Sequence, residues 1–147
     1  MKLHFGVQDI LYGHAHGHSG NANTTTGDVA EILEANYGVM QEFYTLHESE
    51  IVQAVTNSLA DAMDDFLAGM PLSLDNISDE ISGDIKDLFH KAILGKEFDG
   101  VIDGVATQAS LGGVSHRKKK GKHRNKVVRP SFYDTGQYIG SFKAWIK

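Results

Sequence analysis

A chain of 147 residues with 41% hydrophobic and 22% charged residues has the composition of one soluble domain, long enough to bury about 68–70% of its unfolded surface in a self-sufficient core. The absence of cysteine excludes a disulfide framework, a thiolate nucleophile and every cysteine-containing zinc or iron–sulfur site. The net charge of −5 hides a division: residues 1–116 carry −14, with Lys2, Lys86, Lys91 and Lys96 as their only lysines or arginines, whereas residues 117–147 carry +9.

At the start of the chain, Leu3, Phe5 and Val7, continuing to Asp9, alternate onto one side of Lys2 to Leu11 and predict a short strand. Neither a secretory signal nor an apolar run of about 18–20 residues is present, so the expectation is a protein without a membrane span, left in the cytosol where it is made. GHAHGHSGNANTTTG follows, glycine-rich and polar, and reads as a flexible loop over 13–26. Its His14, His16 and His18 lie beside His4 in sequence, and imidazoles are good ligands for zinc, copper or nickel. Nothing fixes their orientation and only Asp9 offers a nearby carboxylate, so a polar loop, with adventitious nickel binding at most, is the expected reading and no metal or other cofactor is assigned.

Thr26 or Asp28 can cap a helix over 28–36 carrying Val29, Ile32, Leu33 and Tyr37, closed by Gly38. Val39 to Leu46 is irregular and reads as a strand or a loop against the core. From His47 to Leu67, Ile51, Val55, Leu59, Met63 and Phe66 recur every three or four positions, predicting an amphipathic helix with that stripe buried. Asp61, Asp64 and Asp65 fall on its solvated side, and Gly69 and Pro71 end it.

Ser78 or Asp79 is the expected cap of the next helix, whose apolar face is Ile81, Ile85, Leu88, Phe89, Ala92 and Ile93, with Gly95 ending it. Phe98, Val101, Ile102, Val105 and Ala109 suggest a further helical segment weakened by Gly100 and Gly104. Beyond it lies a concentration of cations, Arg117, Lys118, Lys119, Lys120, Lys122, Arg124, Lys126 and Arg129, set among Gly112, Gly113 and Gly121. Like charges at this density repel one another and have nothing apolar to bury, so 112–128 is expected to be flexible until a partner neutralises it. Interleaved aromatics, the usual platforms of a single-strand binder, are missing from the run.

Pro130 restrains the exit from this segment. Asp134 and Gln137 have capping-box spacing, with Thr135 able to hydrogen bond and Gly136 permitting a close approach. Pro130, Asp134, Thr135 and Gly136 are thus the expected anchor. Phe142, Ala144 and Ile146 then alternate in a strand that can pair with residues 3–9, leaving Trp145 outside. The fold expected is α+β: a small antiparallel sheet formed by the chain termini, packed with three or four helices, in a single domain over 1–147. No nucleophile elbow, GxGxxG or P-loop motif occurs, so no catalytic residues are assigned and the chain is read as a non-enzyme.

RPSFYDTGQYIGSF, residues 129–142, resembles the P-L-x-D-T-G-x-L-x-x-S signature of the neck or tail-completion proteins of long-tailed bacteriophages, the virion-morphogenesis family. VAEILEANYGV, residues 29–39, is similar to that family's short helix ending in Glu-x-Gly, and the later helices and basic loop follow in the family's order over 29–146. Asn36-Tyr37-Gly38 stands in place of Glu-Phe-Gly, the Pro-Ala-Arg-Pro-Phe stretch is missing, and Phe132 and Tyr133 replace aliphatic pairs. The resemblance implies a structural virion protein, assembled in the bacterial host cytoplasm as a homo-oligomeric ring, expected to be hexameric. That ring would join the head connector to tail-terminator or tail-tube proteins, with packaged DNA as a further contact. The alternative is a small nucleic-acid-binding protein using 117–129.

Overall fold

A computed structural model of the protein describes residues 2–12, 24–107, 110–111, 128–133 and 136–146. The elements are β1 (Leu3–Val7), α1 (Thr26–Tyr37), α2 (Val39–Leu67), α3 (Leu74–Leu94), α4 (Gln137–Ser141) and β2 (Phe142–Ile146). The two strands pair antiparallel, from Leu3 opposite Ile146 to Val7 opposite Phe142, so the two ends of the chain form the sheet, as the alternation predicts. On its outer face Trp145 stacks on His4, ring centroids 5.6 Å apart, and lies so close over Gly6 that a Cβ there would stand 3.0 Å from the indole. Phe142 and Ala144 face inward and are buried.

Aromatic rings join the layers. Phe89 of α3 stacks on Phe142 at 4.2 Å, and Phe43 of α2 meets Phe89 edge-on at 5.0 Å. Ile51, Ile81, Ile85, Ile93 and Phe98 complete the buried centre, and each large apolar side chain fully withdrawn from water contributes about 1.5–3 kcal/mol. Polar ties hold α3 against the end of the chain: Lys86 donates to the Gly140 carbonyl at 2.7 Å, and the backbone amide of Ala144 donates to Ser82 Oγ at 3.3 Å.

Several boundaries differ from the sequence expectation. Thr25, rather than Thr26 or Asp28, caps α1, with Asp28 completing a capping box. The neighbouring Thr26 is fully buried, accepts from Ile10 N and donates to the Gln8 carbonyl, so it belongs to α1 and not to the loop expected over 13–26, of which residues 13–23 lie outside the described residues. Hydrogen bonds from Thr25 and Gly27 hold the exposed Asp9 carboxyl below the ordinary carboxylate range.

Residues 39–46 are helical, not a strand or loop. Gly38, at φ 59, is at once the left-handed end of α1 and the start of α2, and the Glu34 carboxylate accepts from the amides of Met40 and Gln41, satisfying donors that a new helix leaves open. What obscures the join in sequence is His47, the one non-helical residue inside α2. It is buried, with Nε2 2.7 Å from Glu97 Oε2.

The third helix begins at Leu74, capped by Ser73, whose hydroxyl accepts from Asn76 N, rather than at Ser78 or Asp79. Its expected apolar face is correct: Ile81, Ile85, Phe89, Ala92 and Ile93 are buried and Leu88 packs against them. The helix expected over 98–109 is instead a chain of turns through the described residues up to 107, with Gly100 and Gly104 at positive φ, conformations that glycine reaches without steric cost. The α2 stripe is correct at Ile51 but fails at its far end, where Met63 and Phe66 are exposed.

Candidate functional site

The described residues at either end of the basic segment meet at the C-terminal end of α3. The backbone amide of Arg129 donates to the Ser110 carbonyl at 3.2 Å. Beneath this contact lies a buried hydroxyl cluster. Ser131 Oγ accepts from Thr107 N at 3.3 Å, and its own proton faces two acceptors, Asp99 Oδ1 and Ser110 Oγ, both 3.2 Å away. Ser110 Oγ in turn donates to the Thr107 carbonyl at 2.8 Å. Ser110 and Ser131 are only 2% and 3% exposed, so the bond between their hydroxyls is buried, where an unpaired partner is costly, while Asp99 and Thr107 are half-buried at its edge.

A turn locks the second stem. Tyr133 N donates to the Pro130 carbonyl, and Phe132 sits between them at φ 64, a left-handed backbone that costs a bulky residue about 1–2 kcal/mol. Packing offsets this cost: the Phe132 ring meets Tyr37 at 5.4 Å and Phe98 at 6.1 Å. Gly136, at φ 78, begins α4, and a Cβ there would lie 3.3 Å from the Tyr133 hydroxyl. The Gln137 side chain donates to the Leu11 carbonyl at 2.9 Å, tying this anchor to the exit from β1.

Of the residues the sequence assigned to partner binding, Arg129 is described. It is half-buried, and its guanidinium donates to the Tyr133 carbonyl at 2.9 Å, so it clamps the stem as well as carrying charge. Arg117, Lys118, Lys119, Lys120, Lys122, Arg124 and Lys126 lie outside the described residues, as do Asp134 and Thr135 of the anchor and the histidines His14, His16 and His18. Pro130 stands at the turn and Gly136 at the start of α4. Asp61, Asp64 and Asp65 are exposed on α2.

Ser110, Ser131, Asp99 and Thr107 were not singled out by the sequence. Two serines twenty-one positions apart carry no local signal of pairing, and the turn glycines before them read as a weakened helix. Among the described residues no group of three or more histidine, aspartate or glutamate side chains could hold a metal, and no helix is long and apolar enough to cross a membrane. No family model, curated protein or solved structure matches this chain.

Proposed function

We propose that this protein is a non-enzymatic assembly component of a tailed bacteriophage, a neck or tail-completion protein that forms a ring at the head–tail junction. In this reading its basic segment, 117–129, docks on the acidic surface of an adjoining chain. The observation that carries the docking step is the clasp of Ser110, Ser131 and Asp99. It fixes both stems of a strongly cationic segment at one place on a body that is otherwise acidic. The phage assignment rests on the Asp-Thr-Gly signature and the order of elements around it. In a head-to-tail ring each chain offers different surfaces to its two neighbours, so opposite charges on one sequence can pair across every interface.

Replacing Lys118, Lys119, Lys120 and Lys122 by serine should abolish ring formation and incorporation into particles, read by electron microscopy of the purified chain and of virions. Unimpaired assembly would refute the docking role. A nucleic-acid binder would instead show affinity for duplex DNA falling with salt at a slope of about −0.9 per phosphate contact. The −14 body disfavours a duplex lying across more than the basic segment, so only weak binding to DNA is expected.

A further inference from the structure

The sheet made by the chain termini is closed along one edge and open along the other. The amide of Gln8 donates to the Ser141 carbonyl at 2.7 Å, and with Val7 opposite Phe142 this fixes the alternation of the ladder. His4 and Gly6 turn their backbone groups toward β2, whereas Leu3, Phe5 and Val7 turn theirs away from it. The same alternation points Ala144 outward from β2, where its amide meets Ser82 of α3. β1 has no such cover: among the described residues none hydrogen-bonds to the outward amides or carbonyls of Leu3, Phe5 and Val7.

Side-chain burial shows the same asymmetry. On the inner face of β2, Phe142 and Ala144 are 2% and 1% exposed, whereas Leu3, Phe5 and Val7 of β1 are only half-buried. The Phe5 ring lies 6.1 Å from Phe142 and 6.3 Å from Tyr44, which is itself exposed. Natural sheet edges are blunted by lysine, proline, inward-pointing charge or a bulge. Leu3-His4-Phe5-Gly6-Val7 holds no lysine, proline or carboxylate, and its register with β2 is continuous.

An open ladder of this kind is completed by an extended backbone, and β1 is complementary to itself. A two-fold axis normal to the sheet sets Phe5 opposite Phe5 of a second copy, and Leu3 opposite Val7 in both directions. Each of these pairs exchanges two hydrogen bonds, so every outward group of the strand finds a partner. The axis keeps the helices of both copies on one face and Trp145 on the other, and it brings the half-covered inner side chains of the two strands together. A parallel pairing would set Lys2 against Lys2 and Asp9 against Asp9, like charges that destabilise a ladder. The antiparallel one brings Lys2 of each copy to Gln8 and Asp9 of the other.

We infer that β1 pairs edge to edge and antiparallel with β1 of a second copy, joining two two-stranded sheets into one of four strands. Such a contact uses the same patch twice and closes at two copies, so it stands apart from the basic segment and from the head-to-tail ring.

The chain has no cysteine, so introduced pairs can report the register. Lys2 and Gln8 are exposed and fall opposite one another across the new ladder. Full-length Lys2→Cys and Gln8→Cys chains, mixed and oxidised, should form the mixed disulfide about tenfold faster than either links to itself, because the bond needs Cα atoms within about 7 Å. Two copies of residue 2 lie about 20 Å apart along the strands. Sedimentation velocity of the chain with serine at Lys118, Lys119, Lys120 and Lys122, whose basic segment is disarmed, should still show a dimer. In that background Leu3→Pro should raise the dissociation constant about tenfold over Leu3→Ala, since both lose the side chain and only proline loses the outward amide. That amide bonds to nothing in its own copy and opens the strand, so the two variants should melt alike; if the proline variant melts earlier, the disulfide rates decide. A monomer up to the highest soluble concentration, Lys2→Cys linking to itself as fast as to Gln8→Cys, or equal dimerisation of two equally stable Leu3 variants would overturn the pairing. Rings formed by Leu3→Pro in the otherwise native chain would leave the basic-segment reading standing, so the two proposals fail separately.

Discussion

The two ends of the α2–α3 hairpin contrast in how their side chains are satisfied. At the root, two buried hydroxyls, a half-buried carboxylate and backbone amides close on one another, and Phe132 is held in a left-handed backbone by the rings of Tyr37 and Phe98. At the tip, phenylalanine, leucine and methionine stand open among aspartates. The root's hydroxyls are satisfied within the chain, whereas the tip exposes the apolar content of an interior. Exposed apolar residues scattered singly are ordinary, but a contiguous helical stripe continuing out of a core is not.

Substitutions should respond to this difference in order of burial. Phe98→Ala removes a ring that is 1% exposed and supports Phe132, so it should cost about 3–5 kcal/mol, measured by urea unfolding. Ser131→Ala leaves Thr107 N without its acceptor and Asp99 without its donor; a loss of about 1–3 kcal/mol is expected, and Ser131→Thr restoring stability would argue against tight packing around the hydroxyl.

A control lies away from both ends. The Asp9 carboxyl is held below its ordinary range by Thr25 and Gly27, so its folded pKa is lower than its unfolded one. Its contribution is therefore present above about pH 4, the unfolded value, and is lost as pH falls through the lower folded value. The stability gap between native protein and Asp9→Ala should shrink on acidification, measured by thermal melts across that range. Phe66→Ser at the tip should change the stability of the isolated monomer by no more than about 0.5 kcal/mol. A large loss would mean that the tip is held within its own chain and that the contrast between the ends is false.

Much of the fold was legible because periodicity survives wherever a face is buried. The alternation at 3–7 and 142–146 and the 81–93 stripe lead directly to the paired termini and the α3 core face. Other features escaped for separable physical reasons. The helix start at Val39 was hidden because a single left-handed glycine both ends one helix and opens the next, and because His47 interrupts the period. Ser73 has no visible cap signature because the first turn it caps exposes Leu74 and so shows no core pattern before Ile77. Hydrophobic spacing puts Met63 and Phe66 on the apolar side of α2 but does not tell how far along the helix the core extends, and both are exposed. The hydroxyl clasp was illegible altogether, because its serines are brought together by tertiary structure and carry no local pattern.

The bend at His47 makes α2 a lever with a nearby fulcrum. The helix reaches from the aromatic centre of the molecule to the open tip, and its only non-helical residue is gripped by Glu97, which belongs to the root. From His47 to Leu67 the lever is about 30 Å long by helix rise, so a ten-degree pivot at the histidine would carry the tip through an arc of about 5 Å. The bearing of the apolar end is thereby referred to the same structural frame that holds the cationic stems.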